Sequence, residues 1–482
     1  MKRVLQYNLI VWVCLSAFGI AGCSNWLDVK PKTEVEAKEL FKTQDGFKEA
    51  LAGVYTMMNQ PKLYGREMTF GLVDAIAQQW DIKSNDNNHT YYDAVRYEYE
   101  STSIKLLIDS IWGAGYNVIA NVNNILKYID EKEGVFTEDN YNIIKGEALA
   151  IRAYMHFDLL RLFGKDGVSE TIEDGIPYVT EISKQITRTV SPKEVIGYIV
   201  QDLTDAVKLL EVDPIVAGRT VTTDDDNGYL INRQYHLNYY AAVALLARVQ
   251  LYGGISEARN NAMIVINAHE NNNKFPWVKA GDVTTDKLVV RDRVFSSELL
   301  FALNTRRLVD YIKGYFTSTD NPLKTRLQQN ELFNGVTELR SYLFETIDQK
   351  ADVPSKLRQM EATNDVSSGQ YLTPIRDRLP MIRLSEMYYI VAECDKENSS
   401  AAVEELNKVL VARGYEAHNL LNSSIVNSSS AVLEEIQKEY QREFICEGQL
   451  FFFYKRHNIG SVNNQQLKFQ LPKPDLELEF GQ

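Results

Sequence analysis

The chain is expected to fold as an all-α, mainly helical protein with minor β structure. Three observations carry that expectation. Apolar residues recur at helical spacing in segment after segment. Ser191-Pro192-Lys193-Glu194 has the pattern of a capping box with proline at the first helical position. Two alanine-rich stretches lie back to back across Gly253-Gly254, the arrangement of a tight helical hairpin.

In chain order, Thr43–Met58 places Phe47, Ala50, Leu51, Val54 and Tyr55 on one face, and Asn117–Ile129 does the same with Val118, Val122, Ile125, Leu126 and Ile129. Glu147–Phe163 is apolar nearly all round, the mark of a buried helix, and stops at Gly164. The capping box opens a helix carrying Val195, Ile199, Leu203, Ala206 and Leu210. Tyr239–Tyr252 and Glu257–His269 form the first hairpin, and Met381–Asp395 with Ala401–Arg413 a second. Glu434–Tyr454 reads as one long final helix. The hairpins look tetratricopeptide-like, although no clean 34-residue period is present. Gln79–Tyr99, Val212–Gln234, Asn271–Phe295 and Asp310–Thr373 read as loops, with a short β piece near Leu299–Leu303. Loops of that length usually carry function, so a loop-rich ligand face is expected on a helical scaffold.

The amino terminus has its own logic. Lys2 and Arg3 precede the apolar run Leu9–Ile20, which is well short of the roughly 20 residues that span a bilayer. This is the form of a secretory signal peptide. Ile20-Ala21-Gly22-Cys23 resembles the lipobox of bacterial lipoproteins, in which the cysteine is acylated and becomes the new N-terminus; the alternative is an ordinary signal peptide with a chance cysteine. The expected organisation is therefore a signal peptide over 1–22, a lipid anchor on Cys23 with an extended tether over 23–40, and a single domain over 41–482. No Asp follows the cysteine directly, so an outer-membrane destination is favoured.

A net charge of −13 argues against nucleic acid, whose phosphates need a basic surface. Cys394 and Cys446 remain once Cys14 and Cys23 are set aside, and two buried thiols are favoured over a disulfide. The sequence holds no HExxH, no cysteine cluster, no GxSxG elbow and no phosphate-binding glycine loop. With 65 acids, candidate carboxylate pairs for glycoside hydrolysis carry no information. Glu147, Glu386 and Glu393 are expected in caps or in buried pairs with Arg152 and Arg383. Asp224-Asp225-Asp226-Asn227-Gly228 resembles a fragment of a calcium loop with the wrong residues at the first and twelfth positions, and is read as a solvated acidic turn, the alternative being a calcium site. No enzyme, metal or cofactor is expected.

The blocks together resemble the SusD/RagB family of outer-membrane nutrient-binding lipoproteins. The resemblance runs through Cys23…Leu27-Asp28…Pro31, Phe47–Tyr55, Glu147–Tyr154 into Leu162-Phe163-Gly164, and Ala241-Ala242 with Leu245–Val249. It continues in Ile382–Met387, Ala392-Glu393, Arg413-Gly414, Glu443-Phe444, Glu447-Gly448 and Leu471–Pro474. It implies a tetratricopeptide-like scaffold that holds a SusC-like, TonB-dependent transporter, and a loop face that captures glycans, oligosaccharides or peptides without catalysis. Where the family has Arg and Asp after Glu447-Gly448, this chain has Leu450 and Phe453, an apolar pair on one helix face. A structural or adhesive surface lipoprotein is the runner-up, and a glycan hydrolase a third.

Sugars stack on aromatic rings and bond through their hydroxyls. Trp80, Tyr91 and Tyr92, flanking Asn85 and Asp86, are the first candidate ligand contacts and are expected to lie exposed. Tyr311 and Tyr315 are a second group, whereas Trp277, after Phe275-Pro276, is expected to pack.

Overall fold

The computed structural model describes residues 32–480 apart from 184, 224, 317–321, 348–349 and 359–374. Cys23 and the signal segment lie outside the described residues. Lys32–Leu40, expected as extended tether, is helical. Its run of Glu, Ala, Lys and Leu consists largely of strong helix formers, which explains the difference.

The longer helices are numbered in chain order. They are α1 (Gln44–Met58), α2 (Thr102–Ile129), α3 (Asn140–Phe163), α4 (Pro192–Leu209), α5 (Tyr239–Tyr252), α6 (Ala258–Asn272), α7 (Leu384–Cys394), α8 (Ser399–Ala412), α9 (Ser429–Glu443) and α10 (Leu450–Arg456). Thr43 caps α1 by accepting from the Gly46 N–H at 3.2 Å. Ser191 caps α4 as expected: its hydroxyl oxygen accepts from the Glu194 N–H, and the Glu194 carboxylate accepts from the Ser191 N–H at 3.0 Å. Helix α2 starts at Thr102 rather than Asn117, because Ile104, Ile108, Ile111 and Trp112 extend the same buried face. Helix α3 is buried on all sides, as its composition requires.

From α2 to α8 each helix packs on the next, so the tetratricopeptide-like stack is continuous. The step from α6 to α7 is notable, since the whole 273–383 segment intervenes in sequence without breaking the ladder. Among the described residues the β structure is four two-stranded antiparallel pairs. The most buried joins Leu299–Asn304 to Arg378–Arg383.

Two expected helices differ. Met381–Ile382, assigned to the start of a helix, belong to that second strand, and α7 begins only at Leu384. Every residue of Arg378–Arg383 is buried, so the period that separates strand from helix is hidden. The long final helix is two helices. Between α9 and α10 the chain turns, with positive φ at Cys446 (66°) and Gly448 (67°). The buried Asp74 carboxylate accepts from the Cys446 and Gly448 N–H groups at 2.9 and 3.2 Å and fixes the turn. Cys446 therefore sits in a turn, not in a helix. It is buried, Cys394 is half-buried, and both are unbonded. Leu450 and Phe453 are buried apolar residues on α10, the latter ring lying 4.7 Å from that of Tyr440.

The carboxylates expected in buried pairs are buried and paired, with other partners. Glu147 meets Arg233 at 2.7 Å and His236 at 2.9 Å, Glu386 meets Arg248 at 2.6 Å, and Glu393 meets Arg456. Arg152 instead holds Asp202, and Arg383 holds Glu443 and Glu447.

A larger network lies below α7 and α9. Arg340, Lys356, Arg383, Arg413 and Arg442 are interleaved with Glu298, Glu338, Glu439, Glu443 and Glu447, and all ten are buried. Five positive and five negative side chains thus neutralise one another. The hydroxyls of Ser385 and Tyr389 donate to Glu443 and Glu439 at 2.9 and 2.8 Å. Burial opposes ionisation of Glu443, yet Arg413, Arg340 and Arg383 hold its carboxyl well below the ordinary range.

Candidate functional site

After the short helix Leu72–Ile76 the chain enters a loop that is pinned to a distant segment by backbone bonds. Asp81 N–H donates to the Lys324 carbonyl at 3.0 Å, and Arg326 N–H donates to the Gln79 carbonyl at 2.8 Å. Trp80 and Thr325 form an antiparallel bridge between them. The Arg326 guanidinium closes the seam, donating to the Gln78 carbonyl (3.2 Å), the Gln78 side chain (3.0 Å) and the Trp80 carbonyl (3.1 Å).

Trp80 and Tyr91, expected to be exposed, are not. Each is 0% exposed. The Trp80 indole donates to the Phe70 carbonyl at 2.8 Å, and its ring meets Phe316 edge-on at 5.9 Å. The Tyr91 hydroxyl donates to Glu67 at 3.0 Å. An aromatic ring whose polar tip finds an interior partner can be buried without an unsatisfied donor, and that is what both rings do. Neither can stack on a ligand in this state.

The remaining candidates are accessible to different degrees. Asn85 is exposed, while Asp86, Tyr92, Tyr311 and Tyr315 are partly exposed. Tyr92 has one face covered by the Arg96 guanidinium, 3.6 Å from the ring centroid, and its hydroxyl donates to the Ser84 carbonyl at 3.1 Å. Tyr315 packs 6.2 Å from Tyr91 and 5.7 Å from Phe70, with Arg66 over its ring at 5.7 Å. The two candidate groups, far apart in sequence, therefore share one aromatic cluster through Tyr91 and Tyr315. Tyr311 lies on the short helix Leu308–Ile312 that precedes it, with Arg307 at 5.7 Å.

Beside this cluster opens a pocket of about 260 Å³, lined by Gln78, Asp81, Lys83, Arg96, Arg326 and Gln465 among others. None of these was singled out from the sequence. The available signal was Arg96, four residues after Tyr92 and so within reach of its ring. Asp81 is the pocket's one carboxylate; burial pushes it up, but Lys83 at 2.8 Å and Lys324 at 3.3 Å hold it below its ordinary value. Burial lowers the Arg326 guanidinium despite nearby Asp81.

Elsewhere, Trp277 packs as expected, against Tyr388 at 5.4 Å and His269 at 5.1 Å. The acidic turn is described only in part, since Asp224 lies outside the described residues. Asp226 is engaged by the ammonium group of Lys48, which places a cation of the chain's own against that carboxylate. Among the described residues no group of three or more His, Cys, Asp or Glu is placed to hold a metal ion. Nor is any helix among them long and apolar enough to cross a membrane.

Residues 25–251 match the family model described as starch-binding associating with outer membrane, and residues 317–472 match that of the SusD family. A SusD-like protein from Formosa agariphila is 22% identical over 309 residues, which cover 62% of this chain and 51% of that protein. The chain thus spans about half the length of this curated relative. A SusD superfamily protein from Bacteroides fragilis superposes with a TM-score of 0.68 at 18% identity, over 92% of this chain and 98% of that one. One from Bacteroides vulgatus gives 0.67 at 20% identity, over 91% and 97%. One from Bacteroides thetaiotaomicron gives 0.63 at 22% identity, over 89% and 92%. The chain belongs to the SusD/RagB family.

Proposed function

We propose that this protein is a lipid-anchored, non-catalytic receptor of the outer membrane that captures glycans or oligosaccharides at the cell surface. It hands them to a SusC-like, TonB-dependent transporter, which its helical ladder holds. The family match supports glycan binding in general. The observation that carries the location of capture is the pocket at the seam of the 78–97 and 324–326 segments, whose wall residue Arg96 lies against the partly exposed Tyr92. Such a concave site with a few convergent polar groups is the ordinary form of a small-ligand site.

The test is a glycan and peptide array probed with the purified protein, followed by titration of the best ligand. Loss of binding in Asn85→Ala and Tyr311→Ala variants of unchanged stability supports this face. Peptides bound in preference to all glycans would reassign the ligand, and turnover of a polysaccharide would reassign the class. For the anchor, Cys23→Ala should leave the protein unprocessed or released, because acyl chains supply about 0.8 kcal/mol per buried CH₂. Retention of that variant in outer membranes lacking the transporter would refute lipidation at Cys23.

A further inference from the structure

The pocket at the seam is locally basic, although the chain carries a net charge of −13. Its wall holds Lys83, Arg96 and Arg326 against one carboxylate, Asp81. That carboxylate is already shared between Lys83 and Lys324. Among the described residues neither Arg96 nor Arg326 has an ion-pair partner, Asp81 acting on Arg326 only at longer range, and their hydrogen bonds go to uncharged oxygens. Arg96 donates through one terminal nitrogen to the Tyr92 carbonyl at 2.6 Å. Arg326 donates through Nε and Nη2 to Gln78 and Trp80. Arg326 Nη1 and Arg96 Nε and Nη2 donate to no described residue.

These two guanidiniums differ from most of the deeply placed arginines, though Arg378, bonded to the Tyr235 hydroxyl and the Ser296 carbonyl, resembles them. Arg152, Arg233, Arg248, Arg383 and Arg413 each face a carboxylate within 2.9 Å. A half-buried cation loses hydration, and the fold normally returns that loss through an anion. Here the position of the anion is open to solvent and bordered by unused donors. Tyr92 holds the Arg96 plane in place, leaving its Nε–Nη2 edge as a fork, and the seam oxygens hold that of Arg326, leaving Nη1 as a single pre-set donor group. A guanidinium fork matches the paired oxygens of a carboxylate or sulfate.

We infer that this pocket recognises an acidic sugar residue, gripping a ring-borne carboxylate or sulfate between Arg96 and Arg326. The inference rests on the glycan-capture reading above and narrows it. At about 260 Å³ the pocket lies just below the roughly 300–1,000 Å³ of drug-sized sites, so it admits one sugar residue and not a chain. Lys83, exposed at the rim, adds attraction, and the amide of Gln465 and hydroxyl of Ser84 are positioned to meet sugar hydroxyls.

The experiment is calorimetric titration of the full-length protein with two matched pairs. Oligogalacturonate is compared with the same oligomer fully methyl-esterified, and dextran sulfate oligosaccharide with neutral dextran oligosaccharide. At least one charged member should bind tenfold or more tightly than its neutral twin, with an advantage that shrinks as salt rises. The arm that responds tells uronate from sulfate. Arg96→Gln should erase most of that advantage, and Lys83→Gln should reduce it about threefold; the second side chain is exposed, and its surface pair with Asp81, which Lys324 also holds, adds little stability. Arg326→Gln removes seam bonds, so its result counts only if its thermal midpoint matches the parent. Neutral twins binding as well as charged ones would overturn the inference, as would an unchanged ratio in Arg96→Gln. Both of those leave glycan capture standing. Failure of every sugar, on the array as in the calorimeter, would instead remove the capture reading itself.

Discussion

Trp80 and Lys455 show how a single buried side chain sets a measurable property. Trp80 is fully enclosed, with Phe316 beside it and its indole N–H bonded to Phe70. Trp80→Ala should therefore destabilise the protein by about 3–5 kcal/mol in urea unfolding, through the cavity it leaves. Asn85→Ala, on the same loop but exposed, should change stability by less than about 0.5 kcal/mol. Lys455 is buried with no ion-pair partner among the described residues, donating to the Arg161 and Gly164 carbonyls at the end of α3. Burial, opposed by Asp166, brings its ammonium group down from 10.5 to about 7. The unfolded chain then binds an extra proton between pH 7 and 10.5, so this lysine's contribution to stability rises across that window. The difference in urea midpoint between parent and Lys455→Met should grow in the parent's favour from pH 7 to pH 10; a constant difference would refute the shift. Which residues form the pocket was poorly legible in the sequence, because exposure of a loop aromatic depends on distant partners. Trp80 and Tyr91 read as surface platforms until Phe70, Glu67 and Phe316 come over them.

At the level of elements, helices with a one-sided apolar stripe were legible, and so were starts with a side-chain cap. Ser191 and its helix are the clearest case. Among elements buried on all sides length decided: the 24-residue α3 was legible as a helix, whereas a short buried run has no period to read. That is why Met381–Arg383 passed for helix, and why the break after Glu443 was smoothed over. The break has a strict stereochemical origin at Gly448. A Cβ there would stand 2.3 Å from the Met68 carbonyl oxygen, on a backbone with φ of +67°. Gly448→Ala should cost about 1–3 kcal/mol, the usual range for a strained backbone, and speed hydrogen exchange at the Cys446 and Gly448 amides, which Asp74 now holds. Normal exchange at those amides in the variant would show that the turn tolerates a side chain.

For the molecule as a whole, buried ion pairs set its behaviour in acid. Burial works against Glu147 and Glu393, but His236 with Arg233, and Arg456 with His457, hold both at about 2. Against an unfolded value of 4.5, their stabilisation is complete above that pH and is lost as pH falls toward 2. Urea midpoints should fall steeply over that interval, and less steeply in Glu147→Gln. The family resemblance was legible for a related reason. Arg383, Arg413, Glu443 and Glu447, four of the residues that carry it, are members of the ten-residue charge network, so the recognisable motifs belong to the scaffold and are silent about the ligand. That network also imposes an order on folding. Arg340, Arg383 and Arg413 find their shared counter-charges on Glu439, Glu443 and Glu447, near the carboxyl end of the chain. Leaving buried guanidiniums uncompensated costs several kcal/mol each. Without that last stretch Arg383 lacks both of its carboxylates, and Arg340 and Arg413 keep only Glu338 and Glu298, which disfavours early burial of the carboxyl-terminal half. A polypeptide ended before Ser429 should accordingly retain slow amide exchange in α2–α4 and lose it around Leu299–Asn304 and α7.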